Sequence, residues 1–311
     1  MARRAAWGVL VAAAVAALAC APLVIESTFW MNILVFAGIY AIVAVGLSLL
    51  FGYAGQLSFG HGGFYGIGAY VSAVTAIELG LTPWLTIPLG ALAAGAVGFV
   101  LGFPILRLRG LSLAMATLAF GQIMYVLFNE LSITNGTLGL AAIPPPELGS
   151  TAIDTPETYY WLVLAIVVLV VAFTWRSARG PAGRALRAIG SSETAAVSVG
   201  VDVVTYKART LAYSAGLAGL GGALFAHYVT FISSDSFTLD FSVFLVVIVA
   251  VGGVQSVWGA VLGALFMAIV PEYLRDASAA YSTLLYGALL TLVFMWAPGG
   301  IVGLFRREAP A

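Results

Sequence analysis

The 311-residue chain is 62% hydrophobic and only 8% charged, with thirteen basic residues balanced by thirteen acidic ones. Soluble domains carry roughly 25% charged residues, so this chain cannot cover a water-facing surface and must show most of its exterior to lipid. A single cysteine, Cys20, and two histidines, His61 and His227, exclude an internal disulfide and any cysteine- or histidine-rich metal centre.

A spanning helix needs about 20 mostly apolar residues, and nearly the whole sequence divides into such stretches. Runs such as WLVLAIVVLVVAF do not alternate, which excludes a transmembrane barrel. Residues 5–25 follow Arg3 and Arg4 and outrun a secretory h-region, so they are expected to form an uncleaved first helix. Further crossings are expected at 31–51, 60–78, 84–106, 110–131 and 159–175. Tyr159, Tyr160, Trp161 and Trp175 flank the last of these as an interfacial aromatic belt. A hydrophilic stretch at 176–207 precedes a helix at 208–231, an apolar region at 241–271 and a final helix at 282–304.

As one helix, the 241–271 region would run about 46 Å, well beyond a hydrocarbon core of about 30 Å. Gly252-Gly253 and Gln255-Ser256 interrupt it, which predicts two short crossings. Twelve of the thirteen basic residues then fall on one side, with Arg275 alone opposite, as the positive-inside rule requires. The expected architecture is an all-α polytopic membrane protein of about ten transmembrane helices, N-in and C-in. It forms a single transmembrane domain over 1–311, with a cytoplasmic loop at 176–207 and an outer, periplasmic loop at 132–158. The sequence also echoes itself: an apolar helix, a glycine-rich polar break and a second helix occur at 31–78 and again at 241–271. Transporters built from repeats place substrate paths at such breaks.

The first break, GYAGQLSFGHGGFYGIGAY at 52–70, holds six glycines between Gly52 and Gly66. Irregular backbone at membrane depth is tolerated only where it is buried in protein or lines a cavity. Gln56, Ser58 and His61 are therefore candidates for the wall of a solute path, with Gln255 and Ser256 their counterparts in the second break. Gly62-x-x-x-Gly66 fits close helix packing equally well. His61 has no carboxylate nearby in sequence and reads as a hydrogen-bonding residue near the cytoplasmic interface. His227, beside Tyr228, reads as interfacial.

The loop RSARGPAGRALRAIGSSETAAVSVGVDVVTYKAR has helix signals of its own. Ser191 as N-cap, Glu193 in the first turn and Gly200 at C′ predict a short helix over 192–199 outside the membrane. The small side chains of ETAAVSVG suit a groove on another protein. Two absences narrow the function. The only lysine, Lys207, follows VVTY, so no Walker A loop exists. No Ser-His-Asp or paired-carboxylate constellation is legible either, which argues against an enzyme.

GYAGQLSFGHGGFYGIGAY, GRALRAIGSSETAAVSVGVDVVTYK and VVIVAVGGVQSVWGAVLGALF, in that order from about residue 31 to 304, resemble the M-type permease subunits of the Liv-type branched-chain amino acid ABC importers. The resemblance implies a heterodimer with a sister permease in the bacterial inner membrane, two cytoplasmic ATPase subunits and a periplasmic solute-binding protein, with no nucleic acid partner. It implies that Glu193, Thr194, Ala195, Ala196 and Gly200 form the helix that couples to the ATPase. No cofactor is then expected in this chain, ATP and magnesium being held by the ATPase subunits. TNGTLGLAAIPPP at 134–146 departs from the family's TGG-x-x-GL-like stretch. Urea and short-amide importers share the permease type and stand as alternative solutes. An ion-coupled secondary transporter would need a buried carboxylate, yet 31–77 and 79–129 contain no acidic residue.

Overall fold

The computed structural model describes residues 27–105, 108, 110–149, 151–277 and 299–305, with isolated positions 22, 287, 288, 291 and 295. The expected helix at 5–25 and most of that at 282–304 lie outside these residues, and with them the expected count of ten crossings. Among the described residues, six helices are long and apolar enough to cross a membrane.

α1 (Thr28–Leu47) runs without a break into a π-helical turn, Ser48–Tyr53. Gly55, at a φ of +66°, ends that turn, and an irregular segment leads to α2 (His61–Glu78). α3 (Pro83–Ile105), α4 (Leu111–Glu130) and α5 (Pro156–Arg179) follow. Two short helices, α6 (Pro181–Ser191) and α7 (Glu193–Ser198), lead into α8 (Val203–Val229). α9 (Leu239–Gly252) and α10 (Val257–Ala277) are separate helices, as expected, with Gly253 at a φ of +122° between them. A last turn, α11, spans Gly300–Phe305.

The centre of the bundle is α8, which packs most extensively on α3 and α2. Neither α2 nor α8 is among the six apolar spans. Enclosed by neighbours, they carry serine, histidine and glycine where a lipid-facing helix needs aliphatic residues. Their glycines permit backbone to touch backbone: a side chain at Gly68 would run into Gly219, and one at Gly222 into the Tyr65 carbonyl. α4 is the opposite case, with 28% of its span buried against 72% for α1.

The two sequence breaks meet, because a side chain at Gly52 would strike the Val254 carbonyl. The echo stops there. α9 and α10 pack on each other, whereas α2 packs on α8 instead of α1. Arg176, Arg179, Arg184, Arg187, Lys207 and Arg209 gather at one end of the helices, Glu78, Glu130, Glu147, Asp154, Glu157 and Asp235 at the other.

At the acidic end, 131–155 holds two 3-10 turns and a short hairpin, β1 (Glu147–Leu148) with β2 (Thr151–Ala152). A bridge from Leu140 to Ile232 and a 3.2 Å bond from Ile143 N–H to the Thr230 carbonyl pin it to the end of α8. The aromatic belt at α5 is only half present. Trp161 and Trp175 are exposed, but Tyr159 and Tyr160 are buried, and the Tyr159 hydroxyl donates to the Leu224 carbonyl at 2.7 Å.

Candidate functional site

At the basic end, α6 and α7 form a small platform. Gly180 and Pro181 start α6, proline occupying the first position where its missing N–H costs nothing. Gly183, Leu186 and Ile189, spaced at helical intervals, turn inward, and the Arg187 guanidinium donates to the Ala178 carbonyl at 3.0 Å. Sequence alone left this helix out, although Gly180-Pro181 and the Leu186/Ile189 spacing signal it. Ser191 closes α6, its hydroxyl donating to the Arg187 carbonyl. The N-cap of α7 is therefore Ser192, whose hydroxyl accepts the Ala195 N–H at 3.3 Å, and not Ser191. Gly200 sits at C′ with a φ of +81°, as the sequence suggests.

Leu186, Ile189, Ala196, Ala54 and Val203 form a core separate from that of the bundle. The expected docking residues consequently divide. Ala196 is buried in that core, 1% exposed. Thr194, Ala195 and Gly200 are exposed, and Val197 and Val199, which sequence reasoning passed over, are 60% and 75% exposed. Glu193 turns back and pairs with the Lys207 ammonium on α8. α8 itself starts at Val203, five residues before its sequence-expected start, because Asp202 caps it by accepting the Thr205 N–H at 3.2 Å. Hydrogen bonds from Thr205 hold the Asp202 carboxyl below the usual carboxylate range. A cavity of about 330 Å³ opens between Ala54-Gly55 and the run Ile189–Thr194.

From that cavity the irregular segment climbs into the bundle. Gly55 lies against Gly190, while His61 is fully buried with Nδ1 3.1 Å from the Ser58 hydroxyl and Nε2 2.7 Å from the Ser214 hydroxyl. Ser214 is eleven residues beyond Val203, about 16 Å along the helix, so His61 lies well inside the bundle. The Phe59 N–H donates to Thr117 on α4 and the Gly62 N–H to Ser242 on α9, which fixes the entry to α2 on three sides. Gln56 is 3% exposed, and neither atom of its amide has a hydrogen-bond partner among the described residues.

Ser58 and His61 are thus joined directly, with Gln56 in the same segment. Gln255 and Ser256 follow Val254, where the second break meets the first at Gly52. Gln255 is exposed, and Ser256 accepts the Gly259 N–H at 3.0 Å as the cap of α10. His227, read from sequence as interfacial, is buried. Its Nδ1 donates to the Pro144 carbonyl at 2.6 Å, and its Nε2 lies 2.8 Å from Ser72 and 3.1 Å from Thr86. One imidazole thereby ties the 131–155 segment to α2, α3 and α8. Among the described residues no group of histidine, cysteine and carboxylate side chains could hold a metal ion.

A family model described as branched-chain amino acid transport system / permease component matches residues 29–294. The chain is 37% identical over 294 residues to the high-affinity branched-chain amino acid transport system permease protein LivM of Salmonella typhimurium, covering 87% of this chain and 69% of that protein. The match to LivM of Escherichia coli has the same extent and identity. The high-affinity branched-chain amino acid transport system permease protein LivH of Salmonella typhimurium is 27% identical over 285 residues, covering 85% of this chain and 91% of that one. No solved structure gives a significant match.

Proposed function

Because this chain belongs to the family of permease components of branched-chain amino acid transport systems, we propose that it is the translocation subunit of an ATP-binding-cassette importer that carries branched-chain amino acids into the cytoplasm. The observation that carries this reading is the family match over 29–294, joined to a capped helix held out from the basic end of a helix bundle. That platform has no means of hydrolysing ATP. It does have an exposed rim of Thr194, Ala195, Val197, Ser198 and Val199, of a size and apolarity suited to a groove on a separate ATPase subunit.

The remaining assembly follows from the same reading. The bundle has ten crossings in the inner membrane with both termini inside, α6 and α7 facing the cytoplasm, and the 131–155 segment facing a periplasmic binding protein. A second permease subunit of LivH type completes the path. Gln56 is the path residue best supported, since a buried amide without a protein partner costs free energy unless something else binds it. His61 and Ser58 satisfy each other and Ser214, so their part is to hold the break in shape. ATP and magnesium belong to the ATPase partners, and no catalytic role falls to this chain.

The test is binding by the partner that selects the solute. The periplasmic solute-binding partner is titrated with leucine, isoleucine, valine and urea. Tight binding of an aliphatic amino acid is expected. Binding of urea alone would keep the importer and discard the solute, and uptake by this chain reconstituted alone in an ion gradient would discard the importer.

A further inference from the structure

We propose that Lys207 is a positioning residue that fixes α7 to α8, with Glu193 as its internal counterion and not a contact for the ATPase. The inference rests on the importer reading, because its consequence is a change in coupling.

Lys207 is the only lysine in the chain and is 2% exposed. Lysine is almost never so buried unless it is paired, and here the partner is Glu193, fourteen residues earlier at the start of α7. A six-residue helix is far too short to persist alone. What holds α7 is the burial of Ala196 against Leu186, Ile189 and Val203, the Ser192 cap, and this ion pair. Of these only the ion pair joins α7 by a charged contact to a helix that runs through the whole bundle. α8 is 27 residues long, about 40 Å, and its far end is tied to the 131–155 segment through His227 and Ile232. A shift of α8 along its axis is delivered to α7 where Lys207 meets Glu193.

The two partners are not equivalent. The Glu193 side chain is 23% exposed, the Lys207 side chain 2%. Removing lysine leaves a carboxylate that water can reach, whereas removing the carboxylate leaves a buried ammonium without its salt-bridge partner. The other twelve basic residues are arginines, whose planar fork is not a substitute for a compact ammonium in an enclosed site.

The experiment uses the assembled transporter in lipid nanodiscs, reading ATP hydrolysis with and without liganded binding protein, for Glu193→Gln, Lys207→Met and the exchanged pair Glu193→Lys/Lys207→Glu. Glu193→Gln is expected to cut the stimulated-to-basal ratio by about tenfold or more, Lys207→Met by less, and the exchanged pair to exceed Glu193→Lys alone. Hydrogen exchange over 193–198 in the chain itself should accelerate in both single variants while the centre of α8 stays protected. This second readout survives even if a variant fails to assemble. An unchanged ratio and unchanged exchange in Lys207→Met would overturn the proposal. So would an exchanged pair as inactive as Glu193→Lys beside a silent Lys207→Met, which would give Glu193 to the partner. Absence of stimulation in the wild-type complex would instead overturn the importer reading.

Discussion

The centre of the bundle and the platform at its basic end are held by opposite means. At α2 and α8 the helices touch through glycine, and at Gly68 and Gly222 no atom can be added without moving backbone. At α6 and α7 five buried side chains and one ion pair carry the attachment. The centre is stiff because its contacts are short and numerous, and interiors of that density pass strain on whole. The platform is attached through little area, so it can open locally while the bundle stays folded, and the Glu193–Lys207 pair is the link that joins it to α8.

The sharpest way to break the comparison is to put a side chain into the centre. Gly222→Val would drive two methyl groups towards the Tyr65 carbonyl, backbone that cannot rotate away. The expected loss exceeds about 3 kcal/mol, at the top of the range for overpacking, and appears as aggregated protein on size-exclusion chromatography. Gly216→Ala is the control, since its added carbon would meet nothing closer than the Ala91 carbonyl at 3.4 Å, and its thermal midpoint should match wild type. A monodisperse, wild-type-like Gly222→Val would remove the glycine contact from the account of the centre.

Much of this was legible in the sequence, and what was not has a common cause. The division at 252–256, the short helix after Ser192 and the positive φ at Gly200 follow from local rules about glycine and caps. The pairings across long sequence distances do not. Nothing near His61 points to Ser214, 153 residues away, nor does anything near Lys207 mark it as buried, because a lysine at a helix start is ordinarily solvated. Ser191 and Ser192 are equally good caps by residue type, and only the preceding helix, which claims Ser191 for its own last turn, decides between them. The π turn at Ser48–Tyr53 has no residue signature at all. Within it Gly52 lies against the Val254 carbonyl, where a side chain would not fit.

A smaller effect comes from the polar links inside the centre. His61→Ala leaves the Ser58 and Ser214 hydroxyls without their shared partner at a buried position, at a cost of about 1–3 kcal/mol. A lowered thermal midpoint in detergent with unchanged helix content by circular dichroism is the expected result. If His61→Ala melts like wild type, the two serines have found other partners and the break is less tightly specified than its geometry suggests.

The smallest change distinguishes the two regions most cleanly. Ser192→Ala removes the acceptor for the Ala195 N–H, and loss of such a cap costs about 1 kcal/mol. In a helix of six residues that is enough to fray it, yet α7 contributes little to the bundle, so the global melt should not move. Hydrogen exchange should quicken over 193–198 and nowhere else. Ser191→Ala removes only a bond back to the Arg187 carbonyl inside α6 and should leave α7 untouched. If Ser192→Ala lowered the global midpoint instead, platform and bundle would unfold together, and the platform could not be displaced while the bundle stays intact.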